Sequence, residues 1–213
     1  MENKLLLIGA GGHCRSVIDS IDEKKYSDII IVDVSEMVGK YILSIPISGT
    51  DDDIIKFFEN GYHQAFITIG SIGNPDKRIR IYDRLKNIGF HFPTIIDSTA
   101  IISSNINAIG EGVFIGKGVI INTGVKIGTC AIINTGTIID HDCEIGKFVH
   151  IAPGVRMSGG INIQDNVHIG IGSNITESIQ IGKNTIIGAG SVVVSDIAEG
   201  VTAFGVPCKE RSS

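Results

Sequence analysis

One dipeptide in the chain has the makings of a proton-transfer unit. His141 is followed by Asp142 in the run IIDHDCEIG. An imidazole with an ordinary pKa of about 6.5 can accept a proton from an attacking nucleophile, while a carboxylate on its other nitrogen fixes the tautomer and raises its basicity. Consecutive side chains on a flat strand point to opposite faces, so the pair can meet only where the backbone turns. A second chemical feature lies near the N-terminus, where Gly9-Ala10-Gly11-Gly12-His13 follows an apolar strand-like run and opens a helix-like one. In that setting, open backbone N–H groups and the start of a helix can hold phosphate. The dinucleotide fingerprint G-x-G-x-x-G would place its last glycine at position 14, where the chain has Cys14, which argues against a nicotinamide cofactor. Asp33, 24 residues after Gly9 at the end of the next apolar run, is placed to accept hydrogen bonds from a nucleotide, and Gly70 ends a third such run beside the same crevice.

These groups need a scaffold, and the second half of the chain declares one. An aliphatic residue recurs at every sixth position from Ile109 through Ile115, Ile121 and Met157 to Val193. A turn-tolerant residue usually follows it, and a small or β-branched one sits four places on. Six residues make one short strand and a turn, three such edges close a triangular coil, and fifteen hexads give five coils stacked about 4.8 Å apart. The period fixes the fold but not its hand. Vertical neighbours are then eighteen residues apart, which sets Gly159 over His141, His168 over His150 and Ala189 over Ile171. The missing side chain at Gly159 leaves a lane over the base, and the outer columns suit an elongated ligand such as a pantetheine arm.

Residues 1–93 read as a small α/β domain, with strands at 4–9, 29–32 and 65–69 and helices at 14–25, 51–60 and 76–86. That is too short for a six-stranded dinucleotide fold. Residues 94–213 form the rod domain, entered through an irregular stretch at 93–107 and covered after Ile197 by an irregular C-terminal segment.

Composition narrows the function classes. With 43% apolar and 19% charged residues over 213, and a net charge of −5, the chain reads as soluble and globular, without the basic run of a nucleic-acid binder. There is no apolar stretch of membrane-spanning length, and MENKLLLIGAGG lacks the apolar core of a signal peptide. Cys14, Cys130, Cys143 and Cys208 have no CxxC spacing, which fits reduced thiols in a cytoplasm. A zinc reading of His141, His150 and His168 is disfavoured, because spacings of 9 and 18 give no reason for tetrahedral convergence.

The order of GAGGH, IVDV, IGSIGNPDKRIRIYDRLKNIGFHFPTIID, the hexad rod with HDC, FVHIAPG, GAGSVV and GVPCK resembles the bacterial sugar acetyltransferases of the bacillosamine and perosamine type, grouped with sialic acid O-acetyltransferases. The resemblance implies a Rossmann-like α/β domain before a left-handed parallel β-helix, assembled as homotrimers with active sites between neighbouring rods. It implies transfer of acetyl from acetyl-CoA to the 4-amino group of a UDP- or dTDP-linked 4-amino-4,6-dideoxy sugar, with no metal. His141 would be the general base and Asp142 its partner, standing where the bacillosamine type has a glutamate. His150, Gly159, Ile171 and Ala189 match acetyl-CoA contacts of that family. Gly11, Gly12, His13, Asp33, Val34 and Gly70 match its nucleotide-sugar contacts, Gly11 replacing a serine, and Cys208 stands where an alanine is common. Two other readings use the same features: O-acetylation of a sialic-acid-type sugar, and a non-catalytic scaffold that binds sugar nucleotides. A nucleotidyltransferase would need a far longer N-terminal domain.

Overall fold

The computed structural model describes residues 3–211. It divides into two compact units, Met1–Gly70 with Asp76–Ile95, and Ser71–Pro75 with Ile96–Ser213. The short segment Ser71–Pro75 therefore goes with the rod, which a single cut along the sequence does not anticipate.

In the first unit the order is β1 (Lys4–Ile8), α1 (Gly12–Ile18), β2 (Asp28–Val32), β3 (Tyr41–Ile42), β4 (Ile45–Gly49), α2 (Ile54–Glu59), β5 (Gln64–Ile67) and α3 (Asp76–Ile88). The sheet runs β3-β4-β2-β1-β5, and only the β3–β4 pair is antiparallel. Leu5, Leu6 and Leu7 are all fully buried, which explains the unbroken apolar run of β1: a central parallel strand is covered on both faces. α1 is shorter than the expected 14–25. A new start competes with it at Asp22, whose side chain accepts from the Lys24 N–H at 3.3 Å and caps a separate turn at Glu23–Lys25. The β3–β4 hairpin escapes sequence reading, because Pro46 and a two-residue strand blur the alternation that marks a hairpin.

The second unit is the expected parallel coil. Two-residue strands form three faces: a first with inward residues Ile115, Ile133, Ile151, Ile169 and Ile187, a second with Ile121, Ile139, Met157, Ile175 and Val193, and a third with Ile127, Ile145, Ile163 and Ile181. All of these are at most 3% exposed, each side chain contributing about 1.5–3 kcal/mol of burial. Registers such as Ile120↔Ile138 and Ile121↔Ile139 confirm the eighteen-residue step. The corners repeat just as strictly. Every sixth residue from Gly112 to Gly190 has φ between +56° and +74°; eight of them are glycine, and the rest are Cys130, Asp142, Phe148, Asn166, Ser178 and Asn184.

The rod is longer than the hexads suggest. Ile101–Ile102 and Ala108–Ile109 already pair with the coil above them, but Ile102 and Ile109 are seven apart, and that one-residue insertion hides the first coil from a strict six-fold count. At the other end, Thr202–Phe204 extends the first face in parallel and Lys209–Glu210 adds a final antiparallel strand, so the expected irregular cap is a hairpin.

Candidate active site

His141 and Asp142 occupy the corner between the second and third faces, after Ile138–Ile139 and before Glu144–Ile145. Asp142 takes the left-handed corner conformation at φ +56°. That turn lets adjacent side chains meet: His141 Nδ1 lies 3.0 Å from Asp142 Oδ2. The carboxylate accepts the Nδ1 proton, so Nε2 keeps its lone pair and is the basic atom. The Asp142 hydrogen bond, helped by the charges of Asp140 and Asp142, holds the imidazole above its usual pKa of 6.5.

The corner is braced from several sides. Asp140 Oδ1 accepts from the His141 N–H and from Asn122 Nδ2, both at 2.8 Å, and these hydrogen bonds, Asn122's first, hold its carboxyl below the usual range. The His141 carbonyl accepts from Gly160 N–H at 2.9 Å, and the buried Cys143 thiol donates to the Ser158 carbonyl at 3.2 Å. Burial pushes that thiol's pKa up, which keeps it a neutral donor. Cys143 is legible in the sequence only as an inward-facing cysteine of the hexads, and Asp140 and Asn122 carry no signal of their own, although the eighteen-residue step places Asn122 directly beneath Asp140.

Gly159 does lie against His141, but not as an open lane. A Cβ on Gly159 would sit 2.5 Å from His141 Cε1 and 2.6 Å from Nε2, so the imidazole itself leans into that space. Counting by eighteen finds the neighbour; it cannot tell which side chain fills the gap.

The other rod candidates lie elsewhere. His150 stands on the outer side of the first face, paired in register with His168, their rings 4.9 Å apart and nearly edge to face. Asn134 Oδ1 accepts from the Thr135 N–H at 2.8 Å, which turns its amide NH2 toward His150 Nε2 at 3.5 Å. His150 Nδ1 meets the Ser71 carbonyl. The partners fix His150 as the Nδ1–H tautomer. His168 is 8% exposed; burial lowers its pKa, and its Nδ1 has no hydrogen-bond partner among the described residues. Ile171 and Ala189 lie on the corner between the first and second faces, exposed and stacked through the Gly190 N–H to Ile171 carbonyl bond of 2.8 Å. One rod thus joins His141, Asp142 and Gly159 at one corner and sets Ile171 and Ala189 on another.

In the first unit, Gly9 is demanded by the backbone: its φ is +105°, and a Cβ would lie 2.5 Å from Ile69 Cγ1. Gly11 and Gly12 face open space, where a Cβ would meet nothing within 4 Å, and a Cβ on Gly70 would lie 3.6 Å from that of His13. These residues gather where β1 and β5 end, the carboxyl edge at which open parallel sheets take ligands. Beyond β2 a cavity of about 460 Å³ is lined by Gly9, Asp33, Val34, Glu36, Thr50, Asp51, Asp52 and Lys77, among others. Asp33 has two roles in that wall. It accepts from the Ala10 N–H and, at 2.7 Å, from the Val34 N–H, so it also braces the glycine turn. Glu36, Asp51, Asp52 and Lys77 carry no motif; only the fold brings them to this rim.

All four cysteines are buried and free. Among the described residues there is no cluster of three or more His, Cys, Asp or Glu able to hold a metal, and no helix is long and apolar enough to cross a membrane.

Comparison with known proteins adds the following. The PglD N-terminal domain family matches residues 4–85. GDP-perosamine N-acetyltransferase of Escherichia coli is 29% identical over 165 residues, 75% of this chain and 72% of that protein. The crystal structure of a histidine-to-asparagine mutant of perosamine N-acetyltransferase from Caulobacter crescentus, in complex with CoA and GDP-perosamine, superposes with a TM-score of 0.91 at 32% identity, covering 99% of this chain and 98% of that one. The acetyltransferase domain of PglB from Neisseria gonorrhoeae, in complex with acetyl coenzyme A, gives 0.89 at 29% identity, covering 99% and 100%. The α/β domain followed by a left-handed parallel β-helix is the fold of this chain.

Proposed function

Because the chain belongs to the perosamine- and PglB-type sugar N-acetyltransferases, we propose that it transfers acetyl from acetyl-CoA to the 4-amino group of a nucleotide-linked 4-amino-4,6-dideoxy sugar, with His141 as general base. The observation that carries the assignment of the base is the His141–Asp142 contact of 3.0 Å at a corner where His141 stays exposed.

The sugar amine attacks the thioester carbon and forms the C–N bond. His141 Nε2 takes the ammonium proton, the C–S bond breaks, and the departing thiolate takes a proton back from the imidazolium, which leaves amide and CoA thiol. Asp142 fixes the reactive tautomer and stabilises the imidazolium. Backbone N–H groups of the groove stabilise the oxyanion. That a perosamine N-acetyltransferase lacking a histidine still holds both CoA and GDP-perosamine supports a histidine acting in chemistry more than in binding.

Assembly follows from the placement of candidate contacts. His150, Gly159, Ile171 and Ala189 are proposed to meet acetyl-CoA, and a homotrimer would set the His141 corner of one rod against the Ile171–Ala189 corner of the next, completing a groove that one chain leaves divided. In the first unit, Gly11, Gly12 and His13 with Gly70 take the diphosphate and sugar side, and Asp33 and Val34 the nucleoside side. The family resemblance drawn from the sequence implies UDP or dTDP as carrier. The carboxylates of Asp33, Glu36, Asp51 and Asp52 favour guanine instead, because its pairing edge offers two neighbouring N–H donors to acceptor-only groups, while uracil and thymine turn two carbonyls toward them. The GDP-perosamine relatives support the same choice. A cytoplasmic site of action suits both nucleotide sugar and acetyl-CoA.

The test is CoA thiol release from acetyl-CoA with GDP-, UDP- and dTDP-4-amino-4,6-dideoxy sugars, with free sialic acid in parallel. Release with an amino sugar, reduced about 10²–10⁴-fold in kcat by His141→Ala with little change in acetyl-CoA KM, is the expected result. Release only with sialic acid would move the reaction to a hydroxyl, and undiminished turnover in the variant would remove His141 from the chemistry.

A further inference from the structure

The outward columns of the rod's three faces differ in kind. On the third face the column Lys126, Glu144, Asn162 and Gln180 is polar, and Lys126 pairs with Glu144, as suits a face in water. On the first face Phe114 and Ile132 are already buried. The second face presents Ile101, Ile120, Ile138, Arg156, Asn174 and Val192, an aliphatic column interrupted by one cation, and Ile101 at its foot is 65% exposed. Among the described residues Arg156 has no carboxylate partner.

Two corners bound this face, the His141 corner on one side and the Ile171–Ala189 corner on the other. A ring that sets the one against the other between neighbouring rods, as proposed above, turns the face between them to the axis and covers it with the other copies. A guanidinium shut into such a face without a partner is costly, so closure drives it onto the nearest open acceptor. That acceptor is Asp140. Arg156 is in register with Ile138, one ladder step of about 4.8 Å away, and Asp140 lies two residues past Ile138 on the same outward side. The resulting diagonal of about 8 Å between the two backbones is one that the arginine side chain can cover. Asp140 Oδ1 is committed to the His141 N–H and to Asn122 Nδ2, while Oδ2 has no donor among the described residues. We infer that Arg156 is a positioning residue: on assembly of the ring its guanidinium closes on Asp140 Oδ2 and fixes the carboxylate that holds the His141 backbone.

In an isolated chain the pair faces water, is worth little and stands open; neighbours that exclude water strengthen it. Closing it also acts on the base. The charge of Asp140 is one of those that hold the His141 imidazole above 6.5, and a cation on Asp140 cancels part of that effect. The assembled ring thereby keeps its base neutral to lower pH. The other ionisable groups around the corner do not compete for Arg156. Asp142 is taken by His141, the buried Cys143 thiol is neutral, and Glu177 stands three residues past Asn174, beyond the turn of the face. Asn174, one step above Arg156, offers only a neutral carbonyl.

The inference rests on the homotrimer reading above, and the experiment separates the two. Three quantities are measured for the wild type, Arg156→Gln, Arg156→Lys, Asp140→Asn and the Arg156→Gln/Asp140→Asn double variant. They are the mass in solution by light scattering, rates from pH 5 to 9 with acetyl-CoA and a GDP-4-amino-4,6-dideoxy sugar, and the His141 titration by NMR of Cε1-labelled histidine. The expected Arg156→Gln protein is trimeric, with kcat lowered on the order of tenfold at unchanged acetyl-CoA KM. Its acid limb of kcat/KM and its His141 titration move to higher pH, Arg156→Lys restores most of both, and the double variant is no worse than Asp140→Asn alone. A trimeric wild type whose Arg156 variants keep rate and titration, or whose losses add in the double variant, would overturn the positioning role alone. So would an Arg156→Gln chain that no longer assembles, since Arg156 would then serve assembly only. A monomeric wild type that still transfers acetyl would overturn the homotrimer and this role together. A trimer that transfers no acetyl, but whose His141 titration moves with Arg156→Gln, would uphold the pair and overturn the acetyltransferase reading instead.

Discussion

Asp142 holds a position that the rod gives to glycine at eight of its fourteen repeats between 112 and 190, and replacing it with glycine separates its structural cost from its chemical use. A non-glycine residue in the left-handed region costs roughly 1–2 kcal/mol, with Asp toward the lower end. Glycine returns about 0.4–1 kcal/mol of that through the entropy of the unfolded chain. The ion pair with His141 offsets little, because the side chains are 57% and 70% exposed and solvent screens such pairs to near zero. The backbone bond from the residue 142 N–H to the Thr123 carbonyl, 3.0 Å, is retained. Asp142→Gly should therefore be more stable by about 0.5 kcal/mol, a rise in Tm of 1–2 °C for a chain of this size.

Activity should move the other way. Without its partner the imidazole loses tautomer and orientation, and kcat/KM should fall about 10–10²-fold, part of what a general base contributes. The pH profile gives the sign. His141 must be neutral to act, and Asp142 raises its pKa above 6.5; the acid limb of kcat/KM should therefore move to lower pH in the variant even as the plateau drops. Differential scanning calorimetry with rate profiles from pH 5 to 9 reads all three quantities, and Asn184→Gly, in the same backbone slot on another corner, serves as the control that changes stability alone. A variant that loses stability, or keeps its plateau with the limb unmoved, would refute the reasoning.

Gly159→Ala should force the His141 ring from its seat, because the added methyl would lie 2.5 Å from Cε1; kcat should fall at least tenfold while the unfolding midpoint shifts little. Ile151→Ala removes a fully buried side chain from the middle of the column and should cost about 2–5 kcal/mol by urea unfolding, with no route to relief in a close-packed rod. His168, kept neutral by burial with its pKa below 6.5, contributes its full stability above that pH and loses it as the pH falls through the folded value. His168→Phe should thus flatten the decline of stability between pH 6.5 and 5 measured by urea titration.

The rod was legible because a six-residue period dictates the inward or outward direction of every side chain, and the eighteen-residue sum then dictates its vertical neighbours. Gly159 against His141 and His168 beside His150 follow from that arithmetic alone. The first coil was not legible, since seven residues separate Ile102 from Ile109 where the rule allows six. Nor was the Ser71 carbonyl on His150, a contact 79 positions apart that leaves no periodic trace. In the N-terminal unit the glycine turn and Asp33 announce a crevice, but the acidic rim from Glu36, Asp51 and Asp52 sits on two short helical turns, and the Thr50–Asp53 capping box that starts the second signals a helix start and not a ligand. The Asp142 turn was demanded by chemistry, and its left-handed φ supplies the physical means.

The eighteen-residue ladder also governs how the rod assembles and opens. Each coil touches only its neighbours, and the sequence separation across each contact stays fixed however many coils are stacked. A nucleus formed anywhere can therefore grow by adding one coil at a time, without the loop-closure entropy that slows other sheets with distant pairings. Opening follows the same order and begins at the ends, first at the lower coil, where the inward Ile102 and Ile109 are only partly buried against the core column. His141 lies in the coil of residues 132–149, clamped above and below, so amide exchange should slow toward it from both termini and the base should keep its geometry while the ends of the rod breathe.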